Sequence, residues 1–148
     1  MDNVMKIEFS ALAENEAFAR SVAAAFVMPL DPTVEELTEI KTAVSEAVSN
    51  CIIHGYKGCK NMDEARVEME CILMKGGKVI IKIRDEGTGI DDIAKAMEPL
   101  FTTGDEEERS GMGFTVMESF MDKLKVKSEK GKGTTVIMTK YLVIVSGI

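Results

Sequence analysis

Hydrophobic and polar residues alternate along this chain in two periods, and each change of period marks an element. Met5, Ile7 and Phe9 alternate with Lys6, Glu8 and Ser10, which predicts a half-buried strand. Over residues 14–28 the period becomes helical, with Phe18, Val22 and Phe26 on one line and Arg20 facing away. Pro29 and Pro32 stop that helix. Thr33-Val-Glu-Glu36 is a capping-box sequence, and it opens a longer helix expected to end near Gly55. The apolar side of this second helix is Ile40, Val44, Ala47, Val48, Cys51 and Ile52. After a polar loop, Val67, Met69, Cys71 and Leu73 alternate with Arg66, Glu68 and Glu70. Gly76-Gly77 reads as a hairpin turn, and Val79, Ile81 and Ile83 then alternate with Lys82 and Arg84. Phe114, Val116, Met117, Phe120 and Met121 recur at helical spacing. Two final strands are predicted from Lys123 to about Lys127 and from Thr134 to about Leu142, with Lys123, Lys125 and Lys127 on one solvated side.

Four of these strands keep a charged side, so their sheet can stack helices only on its other face. The expected fold class is α/β, a two-layer α/β sandwich with a mixed, mostly antiparallel sheet and helices on one face. With 148 residues and no linker or repeat, the chain is expected to form one domain over 1–148. Residues 143–148 read as a loose tail.

Composition narrows the partners. A formal net charge of -7 argues against direct binding to nucleic acid. No run approaches the ~20 apolar residues of a membrane span, and no charged-then-apolar leader opens the sequence, so a cytoplasmic location is expected. Cys51, Cys59 and Cys71 are odd in number and form no C-x-x-C pair, as expected of reduced thiols. His54 is the one histidine, which leaves a Cys/His zinc site without support. The eleven methionines read as fillers of core gaps.

Three stretches carry candidate chemistry. Glu46, Asn50 and His54 lie four residues apart and would share one stripe of the second helix. Such a stripe can hold a metal or a charged ligand, or simply mark a wet face. Asp85-Glu-Gly87-Thr-Gly89-Ile90 follows a strand; its glycines allow close backbone approach, and its acid can accept from an exocyclic amine. An ordinary glycine-rich turn has the same signature. Arg109-Ser-Gly111-Met-Gly113-Phe114 precedes a helix, where free N–H groups and the dipole favour phosphate and Arg109 offers a fork to its terminal group. Between the last two clusters, a short helix around residues 93–97 leads into a charged segment containing Pro99 and Gly104. Residues 91–110 read as a mobile lid or as a plain surface loop.

Taken in order, E-x-x-x-N-x-x-x-H-G, D-x-G-x-G, the lid, R-S-G-M-G and G-T-T on the last strand resemble the ATP-binding family of gyrase, Hsp90, histidine kinases and MutL. Within it the chain is similar to the small protein-serine kinases of spore-forming bacteria that double as anti-sigma factors. Asp31-Pro-Thr33, Ile53-His-Gly-Tyr56 and Pro99-Leu-Phe-Thr-Thr103 extend the similarity over nearly the whole chain. The resemblance implies ATP and Mg2+ as cofactors, with Asn50 as the metal ligand. It implies that Glu46 orients or deprotonates a serine hydroxyl and that Arg109 assists catalysis from the lid side with Thr103. Asp85 would accept from the adenine amine, supported by Thr134, while Gly87 and Gly89 shape the base pocket. Ser110, Gly111, Met112 and Gly113 would cradle phosphates, and His54, Gly55 and Ile90 belong to the same nucleotide-binding boxes.

The implied function is that of an ATP-dependent anti-sigma factor. It would sequester a sporulation sigma factor, phosphorylate a serine on an anti-anti-sigma protein and form a homodimer. Two other readings are a histidine-kinase-type catalytic domain acting on a separate acceptor and a non-catalytic ATP-switched binding protein in which Glu46 is idle. The polar side of the first helix around Arg20 is expected to help dock partners. Cys51 departs from the family pattern, standing where a small residue such as alanine is common.

Overall fold

In a computed structural model that describes residues 2–89 and 113–143, the sheet order follows from hairpins and one long return. Strands β1 (Asn3–Ser10), β2 (Arg66–Met74), β3 (Lys78–Asp85), β4 (Lys123–Glu129) and β5 (Gly133–Tyr141) form one sheet in the order β1-β2-β3-β5-β4. All four described ladders are antiparallel. At the β2–β3 turn, Gly76 and Gly77 take φ of 89° and 86°, a left-handed backbone open to glycine at little cost.

One sheet face is apolar and the other charged, as the alternation predicts. Phe9, Val67, Met69, Cys71, Val79, Ile81, Ile83, Val136 and Met138 are buried beneath the helices. The opposite face carries the ion pairs Lys6–Glu68, Lys82–Glu70 and Arg84–Glu68. These are exposed pairs of small energetic weight, but they keep that face wet. The lysines Lys123, Lys125 and Lys127 are exposed on the edge strand β4.

Among the described residues, three helices cover the apolar face: α1 (Asn15–Val27), α2 (Val34–Asn50) and α3 (Gly113–Phe120). α2 is central and packs against both others. Its start is the capping box read from sequence. The Thr33 hydroxyl accepts from Glu36 N–H at 3.0 Å, and Glu36 Oε1 accepts from Thr33 N–H at 2.9 Å. Glu36 Oε2 also accepts from Val143 N–H at 2.9 Å, so Val143 is tied to α2 and is not part of a loose tail. Residues 144–148 lie outside the described residues.

Two expectations are corrected. In α1, Val22 and Phe26 pack against the core as expected, but the fully buried line is Ala19, Ala23 and Val27, and Phe18 is 50% exposed and leans edge-on against Phe9. Arg20 consequently turns toward α2, where its guanidinium donates to Ser45 Oγ at 3.2 Å. The second helical run does end at Gly55, as expected, but its α geometry stops at Asn50 and Cys51–Gly55 form a π turn closed by Tyr56 N–H on Cys51 C=O at 3.2 Å. His54 therefore does not lie on the regular continuation of the Glu46–Asn50 stripe.

Lys140 points into the core side of β5 and is 7% exposed. Its ammonium donates to Phe120 C=O at the end of α3 at 2.7 Å and pairs with Glu39 of α2 at 3.5 Å. A cation at a helix C-terminus meets its partial negative charge. Lys140→Ala is expected to lower unfolding free energy by about 2 kcal/mol, the cost of stranding a charge-assisted hydrogen bond. Urea denaturation measures this.

Candidate functional site

The carboxylate of Asp85 is the centre of the site. β3 delivers it to the core face, where it is 4% exposed at the strand's end. Burial pushes its pKa up, while Gly87 N–H, the Cys51 thiol and the Thr134 backbone hold it down in part. The Gly87 bond to Oδ1 is 2.9 Å. The same carboxylate and its own burial push the Cys51 thiol well up, burial being the larger cause, so Cys51 stays a protonated donor.

Glycines let the backbone close on this group. A Cβ on Gly55 would stand 2.8 Å from Asp85 Oδ2, and one on Gly87 would overlap the Gly55 carbonyl. Thr88 N–H donates to Gly55 C=O at 2.7 Å, joining the glycine loop to the π turn. Gly89 has φ of 77° and packs against the Glu129 carbonyl; Gly131 N–H donates to Thr88 C=O at 2.6 Å. Thr134 sits opposite Asp85 in the β3–β5 ladder, and its hydroxyl shares a 2.8 Å hydrogen bond with Ser128.

Four residues singled out from sequence therefore come together, Gly55, Gly87 and Thr134 around Asp85, while Gly89 lies farther along the same loop against the β4–β5 turn. Glu46 and Asn50 are half-buried, one turn apart on α2. Ser45 and Ser49 of the same helix bond to Arg20 and Glu16 of α1, which puts Glu46 and Asn50 on the other flank of the buried stripe. Asn50 immediately precedes Cys51, and this links the α2 pair to the Asp85 cluster. His54 lies in the π turn, and Gly113 is buried as the first residue of α3 beside α2. Ile90, Thr103, Arg109, Ser110, Gly111 and Met112 lie outside the described residues, as do the short helix around residues 93–97 and the whole of 91–110.

Three participants were not read from the sequence as site residues. Cys51 is core as read, and its thiol in addition faces the Asp85 carboxylate. Gly133, with φ of 108°, lets the β4–β5 turn lie against the Asp85 carbonyl. Tyr56 spans two strands. The G-x-G-T-T run and the tyrosine after His-Gly were the available signals. Among the described residues, no group of three or more histidine, cysteine, aspartate or glutamate side chains converges as a metal cage. Nor is any helix among them long and apolar enough to cross a membrane.

A buried carboxylate at a strand end, packed against glycine backbone and preceded by a helix bearing Glu46 and Asn50, can accept hydrogen bonds from a polar ligand. The histidine kinase-like ATPase domain family matches residues 9–140, and the chain belongs to that family. It is similar within it to proteins called anti-sigma F factor. The one from Thermoanaerobacter sp. strain X514 is 56% identical over 140 residues, covering 95% of this chain and 94% of that protein. The one from Clostridium acetobutylicum is 51% identical over 145 residues, covering 98% of each. Among solved structures, the RsbU and RsbW domains of Rv1364c from Mycobacterium tuberculosis superpose with a TM-score of 0.69 over 95% of this chain and 32% of that one. At 17% identity, that likeness speaks to the fold alone.

Proposed function

We propose that this chain is an ATP-dependent protein-serine kinase that also sequesters a sporulation sigma factor. The observation that carries the reading is the buried Asp85 carboxylate at the end of β3, with the Gly55 and Gly87 backbone packed so close that a side chain at either would clash. Such a group is an acceptor for the adenine amine, with Thr134 beside it and Gly89 and Ile90 completing the base pocket. The names of the relatives support the sigma-factor half of the proposal.

The nucleotide would supply the phosphoryl group, with Mg2+ neutralising its charge. Asn50 fits the metal because Mg2+ prefers hard oxygen ligands and keeps several waters, so one amide oxygen beside phosphates suffices. Glu46, one turn away, would take the proton from the attacking serine hydroxyl. Ser110, Gly111, Met112 and Gly113 would bind phosphates, with Thr103 and Arg109 of the lid segment 91–110 neutralising charge as it moves. His54 and Gly55 line the same box. A single domain over 1–148 and a cytoplasmic homodimer complete the proposal, with no direct contact to nucleic acid or membrane.

Labelled ATP incubated with the chain and an anti-anti-sigma protein tests the kinase reading. Acid-stable phosphoserine on that partner is expected. Acid-labile phosphohistidine, or nucleotide binding without transfer, would overturn it.

Asp85 also sets a pH dependence. The amine needs the charged carboxylate, and burial raises the pKa at which that charge is lost. Preference for ATP over its analogue lacking the 6-amino group should therefore be constant well above the raised value. It should decline as pH falls through that value, by roughly tenfold per unit at most. Comparing the two nucleotides cancels the titration of their shared phosphates.

A further inference from the structure

Tyr56 occupies an unusual place in the β2–β3 ladder. The register pairs Val67 with Asp85, so the next step would set Arg66 opposite Glu86. No direct rung is made there. Instead the Tyr56 hydroxyl accepts from Glu86 N–H at 2.9 Å and donates to Arg66 C=O at 2.5 Å. The phenol thus stands between the donor and the acceptor that a continued ladder would join. Tyr56 is 7% exposed and comes from the residue after the π turn, whose Gly55 touches Asp85.

This insertion has a consequence for the loop. Antiparallel strands tend to keep pairing while donors and acceptors remain in register. A hydroxyl in the gap satisfies both groups while holding the strands apart, so β3 stops at Asp85 and the chain is free to turn through Gly87 and Gly89. Were Glu86 to bond Arg66 directly, Glu86 and Gly87 would be drawn along the strand. Gly87 N–H would then leave Asp85 Oδ1, and Thr88 N–H would leave Gly55 C=O.

We propose that Tyr56 is a positioning residue for base recognition: by replacing one rung of the β2–β3 ladder with its hydroxyl, it fixes where Asp85 presents its carboxylate. The inference rests on the reading of Asp85 as the adenine acceptor. It does not require Tyr56 to touch the nucleotide.

Tyr56→Phe removes only the inserted oxygen. Binding of ATP and of the analogue lacking the 6-amino group is measured for the parent and the variant. The variant should bind ATP roughly 3- to 10-fold more weakly, the usual worth of one hydrogen bond, and should lose most of its preference for ATP over the analogue. A phenylalanine variant that weakens both nucleotides equally, or neither, would show a merely structural tyrosine and overturn the inference. A parent that binds both nucleotides equally overturns the adenine contact itself, and the inference with it. Hydrogen exchange on the parent gives a check that does not depend on the variant folding. The Glu86 amide should be protected like those of the ladder, and exchange at the rate of an open loop would contradict the insertion.

Discussion

Glu46→Gln is expected to bind ATP as the parent does and to transfer phosphate ~10²- to 10⁴-fold more slowly, the range for removing a positioned general base. Glutamine keeps the size and hydrogen-bonding shape of the side chain, so α2 should be undisturbed. It cannot accept a proton at neutral pH. Glu46 is half-buried and lies one turn before Asn50, close enough to the proposed metal ligand to meet a hydroxyl aligned on the phosphate. The separation between binding and turnover is the diagnostic part. Equal transfer rates for variant and parent would remove Glu46 from the chemistry and favour the reading of an ATP-switched binder.

Asn50→Ala should act at the earlier step and abolish measurable binding of Mg-ATP. The substitution removes the one hard oxygen ligand assigned to this chain and leaves the metal to phosphates and water. Alanine is a strong helix former, so the fold has no reason to suffer at the last residue of α2. Binding of ATP in the presence of Mg2+ and of a chelator separates the two contributions. The parent should lose affinity on chelation, and the variant should be insensitive to it. An Asn50→Ala protein that still tightens its hold on ATP when Mg2+ is added would contradict the assignment.

What could be read from the chain was what short stretches encode by themselves. Thr33 and Glu36 form their capping box across three residues, and the pattern names both partners. The alternation in β2 and β3 fixes the sheet face because a strand's period is set by its own backbone. The convergence of Gly55, Asp85, Gly87 and Thr134 was legible only as separate boxes, whose order supplied the connection. The misreadings have physical causes. In α1, Phe18 drew attention as a large apolar group, yet it is half exposed and the fully buried line is Ala19, Ala23 and Val27, residues whose small size gives a weak apolar signal. The π turn at Cys51–Gly55 inserts no residue type that marks it. The burial of Lys140 has no sequence signal, because nothing local announces that its ammonium will meet Phe120 and Glu39 in the interior. Tyr56 and Cys51 escaped for a related reason. Each owes its role to a partner thirty or more residues away at the end of β3, Asp85 for Cys51 and Glu86 for Tyr56, and spacing along the chain does not carry that information.

The central claim is that Asp85 and the glycine backbone around it hold the adenine of ATP. Equilibrium dialysis of the full chain against labelled ATP and Mg2+, with the 6-amino-deficient analogue as competitor, tests it most directly. Saturable binding of ATP at a single site, displaced only weakly by the analogue, is the expected result. No retained ATP, or displacement by the analogue as effective as by ATP itself, would contradict it.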